Sequence, residues 1–473
     1  MRAVALSLGL SAACGAEPST DGPDSVRVSS NPNSALSVLA TFKQHDARLA
    51  RVISSDGAHT LVTPYFPVGP RGYGEVPVLG LSPSTRYTHV LELLTGSGPT
   101  TSGHVVVPTA ALPDALAAWT VAVVPAAGAP PAEGYYLVSG AGHSAFAFDA
   151  SGAIRWYRSF DAATSDSKLQ EDGTFTTFVG GSTGWQPSEV GAFVRYSVNG
   201  VELSKIVAAS PDPTEEGAPA VVTDPHELLI VREADGDELH HLLGYVQRPT
   251  SATDPTPASW HELLVQDAEG EVVSRWKSWS RFSADDVDPA VNPGPGDVDH
   301  PNAIAIDPAD GTDVVSFRSF SAVVKVDVAT GAVRWQLGGK QNQFKFVGDP
   351  WNGFQGQHSV QVLPGNRILL YDNGNGHDPP ESRAVEYRLD TTAMTATMVW
   401  EHRHDPAIFT PVTGSVERLT GGDTLVAFAF AGLVDEVDRR GRLVWQASIA
   451  LGAGAPKAYR VRRLPSLYAY AAP

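Results

Sequence analysis

Short runs in which apolar and polar residues alternate fill this chain, as in LSVLATF, ARLARVIS, THVLELL and HVVVPT, each 6 to 8 residues long. Alternation of that kind places one set of side chains on each face of a strand. Helical spacing of apolar positions over ten or more residues is hard to find after residue 20. A second pattern is laid over the first, because one short signature recurs six times: FDASGAIRWY with Gly152 and Trp156, YSVNGVELSK with Gly200, QDAEGEVVSRWK with Gly270 and Trp276, VDVATGAVRWQ with Gly331 and Trp335, a glycine-less YRLDTTAMTATMVW with Trp400, and VDRRGRLVWQ with Gly441 and Trp445. Each unit predicts a strand, a tight turn with positive φ at the glycine, and a returning strand, the outer hairpin of a four-stranded blade. Spacings of roughly 40 to 70 residues fit a propeller with loop insertions. The prediction is an all-β protein whose residues 115–473 form a six-bladed β-propeller.

Residues 25–110 lack the signature and carry the alternating strands quoted above. Within them Leu81, Pro83, Thr85 and Tyr87 form the Leu-x-Pro-x-Thr-x-Tyr spacing of a tyrosine corner, which predicts a small β-sandwich of the fibronectin or immunoglobulin kind. TAALPDALAAW, residues 109–119, would connect it to the propeller. The sandwich offers no clustered acid, base or metal ligand, so a structural or dimerisation role is expected of it, and a homodimer is one outcome.

Composition narrows the function. With 473 residues, 42% of them hydrophobic and 18% charged, the chain can bury a full core. Its net charge of −18 opposes nucleic acid and anionic membrane surfaces. An anionic substrate would therefore need local positive charge. Residues 1–16 carry one basic residue, an apolar stretch and small residues before Cys14, the one cysteine in the chain, which is the pattern of an export signal. The segment resembles a bacterial lipoprotein box with Ser11 where a leucine is usual, so a lipid anchor at Cys14 is expected, with ordinary signal cleavage as the alternative. Either outcome makes the protein extracytoplasmic, as a periplasmic protein or a membrane-anchored lipoprotein, and without a disulfide packing alone holds it together.

Three histidines lead β-like runs that are far apart in sequence: His226 in TDPHELLIV, His300 in DHPNAIAID and His358 in GQHSVQVL. A single strand histidine is ordinarily a structural group. Three at the same phase of successive repeats would converge on the propeller axis. His300 and Asn302, two apart, are expected on one face of a strand, and Arg318 lies in the run DVVSFRSFSAVVKVD, where its planar fork suits a tetrahedral oxyanion. The competing expectation pairs Arg318 with a structural carboxylate such as Asp299 or Asp372. His240, His241, His261, His377, His402 and His404 stand in polar or loop contexts and are expected at the surface, and Asp285, Asp286 and Asp288 are expected as solvated loop residues rather than a calcium site.

The order HEL, then D-x-x-H-x-N with an S-x-R strand, then QH followed by LLYDNG and SRAVEY, resembles the bacterial arylsulfate sulfotransferases over nearly the whole chain. The resemblance implies a sulfuryl transfer from an aryl sulfate donor to a phenol acceptor, with no nucleotide sulfate donor, no cofactor and no metal. By motif it implies His358 as nucleophile, His226 as general acid/base, His300 and Arg318 as catalytic partners and Asn302 as a substrate-binding group. The chain departs from characterised members in lacking a cysteine pair, and the fifth repeat lacks its turn glycine. Two other classes stay open on the residues alone. Three convergent histidines are also the ligand set of a metal-dependent hydrolase or lyase, although Arg318 would repel a dication. A lipid-anchored recognition propeller would bind through long loops such as PTSATDPTPAS and SADDVDPAVNPGPGD, without chemistry.

Overall fold

In the computed structural model the described residues are 26–125, 133–180, 191–209, 212, 214, 217–250, 255–291, 296–451 and 458–468; the expected export signal and Cys14 lie outside them. The fold is all-β and of propeller type, with one four-residue α-helix, Asp114–Ala117, and two short 3₁₀ turns among the described residues.

Six sheets of four or five strands follow one another, antiparallel except where Lys345–Val347 pairs in parallel with Thr395–Arg403. Their inner strands are Thr164–Leu169, Val222–Arg232, Pro301–Ile306, His358–Leu363, Ser415–Arg418 and Arg460–Leu464. Each inner strand touches the next in that order, and Arg460–Leu464 touches Thr164–Leu169, so the inner strands close a ring. Closure uses both ends of the chain. Arg460–Leu464 pairs with Tyr135–Ala141 as the inner strand of that sheet, while Trp119–Pro125 pairs with Leu443–Leu451 as an added outer strand.

The six signatures are the hairpins between the third and fourth strands of each sheet. Gly152 and Gly331 take φ of 86° and 73°, and in the glycine-less fifth repeat Met394 takes that place with φ 51°. A side chain in the left-handed region costs roughly 1–2 kcal/mol, which the pairing of eight register partners across this hairpin offsets. The repeat tryptophans close the gaps between sheets. Trp156 stacks on Phe175 of the following sheet with ring centroids 4.6 Å apart, and Trp445 stacks on Tyr136 at 4.1 Å. Burying such rings contributes about 3–5 kcal/mol each by the cost of truncating them.

Ahead of the ring, residues 26–108 form a three-stranded and a six-stranded sheet that share a core of Val38, Phe42, Val52, Val76, Leu81, Tyr87 and Leu91. The Tyr87 hydroxyl accepts a hydrogen bond from the Ser82 backbone N–H at 3.0 Å, the corner expected from the spacing.

Candidate active site

His226 lies within the inner strand Val222–Arg232, His358 opens His358–Leu363 and His300 immediately precedes Pro301–Ile306; pairing with the neighbouring strand is interrupted around or just after each, between Thr223 and Leu228, between Pro301 and Ala303 and between His358 and Val360. Such an interruption bends the strand and re-aims the side chain. His300 lies just before its strand with φ 44°, and Ser359 follows His358 with φ 53°. The expectation that strand alternation puts His300 and Asn302 on one face is therefore corrected, since His300 is not a strand residue. Arg318 too lies outside a strand. The run expected as one strand is two, Asp313–Phe317 and Ala322–Asp327, and Arg318 opens the turn between them.

His358 is the most constrained of the three. It is 2% exposed, and its Nδ1 lies 2.7 Å from Asn373 Oδ1. The Asn373 amide nitrogen donates to the Thr410 and Thr413 carbonyls at 2.7 and 3.0 Å, which fixes its oxygen toward the ring. An oxygen can only accept, so Nδ1 carries the proton and Nε2 keeps its lone pair. Nε2 accepts the Thr413 backbone N–H at 3.3 Å, and Thr413 has φ 59°. Burial, and then the Arg318 cation, hold the His358 imidazole well below its usual pKa. It is neutral at neutral pH.

Arg318 is buried; its backbone N–H donates to the His300 carbonyl at 3.0 Å and its Nη2 to the Pro411 carbonyl at 3.2 Å. Burial lowers the guanidinium to about 10 against the opposing charge of Asp297, so it stays cationic. Its two expected structural partners are committed to other side chains. Asp372 bonds Arg383 at 3.0 Å and Asp299 bonds His261 at 2.5 Å. Asn302 donates its amide to the Gln357 carbonyl at 2.8 Å, and Gln357 in turn donates to Ser316 Oγ and the Phe317 and Ala322 carbonyls at 3.0 to 3.1 Å. Together they fix the backbone immediately before His358. The Asn302 Oδ1 is buried without a hydrogen-bond partner among the described residues.

His226 and His300 stand edge to face with ring centroids 4.8 Å apart. Each is backed by a carboxylate: His226 Nδ1 by Asp224 at 2.8 Å, His300 Nδ1 by Asp297 in a short contact. Arg318, His300 and His226 all act electrostatically on His358, and His300 contacts both His226 and Arg318, so the ring gathers the four side chains into one cluster. The His226 side chain is 18% exposed against 5% for His300, so His226 has the freer access to a bound molecule. Burial would raise Asp224, but the charges and hydrogen bonds of His226 and His261 outweigh it and hold the carboxylate below its usual range.

The other histidines correct the expectation of surface positions. His240, His241, His261, His377 and His404 are buried, and His402 is half-buried with Asp435 at 2.9 Å. His241 bonds Asp313 and His404 bonds Asp435, at 2.8 and 2.9 Å, while His377 stacks on Trp351. These partners come from other strands, which local polarity along the chain cannot show. Asp286 and Asp288 are likewise committed rather than solvated. Asp286 accepts from Ser283 at a 3₁₀ turn and Asp288 accepts from Ser321 Oγ at 2.6 Å, while Asp285 is exposed as expected. Among the described residues His261, Asp297 and Asp299 are spaced to surround a cation, with ligand atoms within 4.8 Å of one another. Both ring nitrogens of His261 already face carboxylates, Asp299 at 2.5 Å and Asp224 at 3.2 Å, so the grouping holds together as an ion pair.

Residues 261–449 match the family model described as Arylsulfotransferase (ASST). The match supports the arylsulfotransferase family for this stretch. It contains His300, Asn302, Arg318, His358 and Asn373, whereas His226 and Asp224 precede it. No curated protein matches the chain. Solved structures it is similar to include a Bacteroides caccae protein of unknown function, at 13% identity over 70% of this chain and 99% of that one with a TM-score of 0.43. A streptogramin B lyase is similar at 10% identity over 69% and 86% with a TM-score of 0.36. The periplasmic gluconolactonase of Pseudomonas aeruginosa is similar at 12% identity over 88% and 99% with a TM-score of 0.34.

Proposed function

We propose that the protein moves a sulfuryl group from an aryl sulfate to a phenol through a sulfated His358, on a six-bladed propeller spanning about residues 115–473 that follows a β-sandwich at 25–110. The observation that carries this reading is the state of His358: a neutral imidazole whose Nδ1 proton is pinned by Asn373, whose Nε2 keeps a lone pair held by the Thr413 N–H, and on which the Arg318 charge acts. A buried imidazole of that kind is a nucleophile that needs no base. In the first step the Nε2 lone pair leaves its hydrogen bond from the Thr413 N–H and forms a bond to sulfur as the sulfur–aryl oxygen bond breaks, and the leaving phenolate takes a proton from His226 in its protonated form. In the second, neutral His226 takes the proton of the acceptor phenol while its oxygen attacks sulfur, and the N–S electron pair returns to Nε2.

The transferring group is loose and SO₃-like by analogy with phosphoryl transfer, so catalysis rests on alignment and on cations near its oxygens. Arg318 supplies that charge, and His300, held by Asp297, faces the same space. Asn302 serves the reaction by fixing the Gln357 carbonyl, with its Oδ1 left for a donor on the substrate. The acid/base role falls to His226 because Asp224 holds its Nδ1, which leaves Nε2 to exchange the proton. Work of this kind is worth about 10² to 10⁴ in rate. The expected export signal would put the reaction outside the cytoplasm, in keeping with a donor that is not a nucleotide; cell fractionation tests this, and fatty-acid labelling at Cys14 tests the lipid anchor.

The deciding experiment is intact-protein mass after incubation with p-nitrophenyl sulfate. A gain of about 80 Da on wild type, absent from His358→Ala and discharged by added phenol, is the expected result for a covalent sulfuryl intermediate. No adduct and no nitrophenol release with several phenols would refute the transferase and leave a recognition scaffold. Unchanged turnover after chelation is expected, and its loss would favour the metal-dependent reading.

A further inference from the structure

His261 is buried, and the proposed chemistry does not use it. Its ring is held at both nitrogens: Nδ1 lies 2.5 Å from Asp299 Oδ1 and Nε2 lies 3.2 Å from Asp224 Oδ2. Both partners are carboxylates, which only accept when ionised, so both ring nitrogens must donate. An imidazole with two N–H groups is an imidazolium.

The two carboxylates lead directly to the pocket. The other oxygen of Asp224 accepts from the Nδ1 and the backbone N–H of His226, at 2.8 and 2.9 Å. Asp299 Oδ1 accepts the backbone N–H of His300 at 3.0 Å, and its Oδ2 accepts the backbone N–H of His261 at 3.0 Å and the Ser278 hydroxyl. A continuous chain thus runs from the His226 ring through Asp224, His261 and Asp299 to the His300 backbone, where φ is 44°. A residue held in that region needs its surroundings to over-determine it.

We infer that His261 is a positioning residue whose buried positive charge fixes Asp224 and Asp299 together, and so sets both the orientation and the proton affinity of His226. The inference deepens the acid/base role assigned to His226 and rests on it. The titratable groups that face His261 are Asp224 from the inner strand Val222–Arg232, Asp297 and Asp299 from the segment before His300, and Tyr245 with its ring 6.0 Å away. Burial alone would discharge the imidazole, but Asp299 and Asp224 outweigh it and raise its pKa well above the usual value. Without this cation the whole charge of Asp224 would fall on His226 and make the ring a weaker acid toward the leaving phenolate.

Leaving-group dependence separates this role from a merely structural one. p-Nitrophenolate departs with little help from an acid, whereas phenolate needs its proton. In His261→Gln, sulfation of His358 by p-nitrophenyl sulfate is expected to stay within about threefold of wild type, while the rate from phenyl sulfate falls about ten- to hundredfold. The alkaline limb of the phenyl sulfate pH profile, set by loss of the proton His226 must donate, is expected to move up by about one unit. An equal loss with both donors and an unmoved limb would overturn the inference. For wild type, nitrogen-15 NMR of labelled histidine provides a test independent of the variant's folding. His261 is expected to report two protonated nitrogens at neutral pH, and a neutral ring would overturn the inference. Absence of any adduct on wild-type His358 would instead sink the parent reading and leave the NMR result standing.

Discussion

Asn373 fixes which nitrogen of His358 can attack, and replacing it tests the chemistry at its most exposed point. Asn373→Ala removes three hydrogen bonds: the acceptor of the His358 Nδ1 proton at 2.7 Å and the two donors to the Thr410 and Thr413 carbonyls at 2.7 and 3.0 Å. A buried donor left without a partner costs about 1–3 kcal/mol. The imidazole escapes that cost by moving its proton to Nε2, the atom that must attack, once the Thr413 segment that Asn373 held has moved its N–H away. At 1.36 kcal/mol per factor of ten, sulfation should slow by about five- to 150-fold at every pH. Asn373→Asp should behave differently. A carboxylate about 4 Å from the ring charge favours the imidazolium by about 4 kcal/mol at an effective dielectric of 20, or about three pH units. Its sulfation rate should collapse at acid pH and recover as pH rises. The assay is the stopped-flow burst of nitrophenol from p-nitrophenyl sulfate across about pH 5 to 9, with thermal melts to confirm folding. An alanine variant within about twofold of wild type, or an aspartate variant with an unmoved profile, would refute the assignment of the attacking nitrogen.

Arg318→Gln removes the buried cation of the pocket and should lower kcat by about 10² to 10³ with a smaller change in KM, as measured by steady-state kinetics; a change confined to KM would mean it only binds the ground state. His358 is held neutral in the folded state below its ordinary value, so the unfolded chain takes up the proton that the folded chain refuses. Stability should fall by up to about 1.4 kcal/mol per pH unit below about pH 6.5, and the urea midpoints of His358→Gln should show a flatter slope there. His261 has the opposite sign: its raised value gives stability that is present below about pH 6.5 and lost as pH rises through the folded value. Arg383 is buried among Asp349, Asp372 and Glu401 at 2.9 to 3.0 Å. Arg383→Met leaves two of those carboxylates buried and uncompensated, and should cost about 3–5 kcal/mol by calorimetry or denaturant unfolding; a loss below about 1 kcal/mol would contradict that.

Much of this protein was legible from one dimension because its elements are local. A strand reads as alternation and a hairpin turn as a glycine between two runs, and both depend on neighbours within ten residues. Hence the six signatures, the tyrosine corner and the arylsulfotransferase resemblance could be located before any contact was known. The fifth turn shows where residue type stops being decisive, since Met394 accepts the strained conformation within a long paired hairpin.

What only the tertiary structure decided is the partner of each polar side chain. His261 looks like a surface residue because Trp260 and Glu262 give it a mixed context, yet it bonds Asp224, 37 positions away, and Asp299, 38 positions away. Asn373 lay in plain view inside LLYDNG, but its role depends on carbonyls of Thr410 and Thr413 in another sheet's approach. The re-aiming of His300 and Arg318 out of their strands was invisible for the same reason. Ring closure brings inner strands separated by some sixty residues into contact, and hydrogen bonds between them are set by that geometry rather than by spacing along the chain.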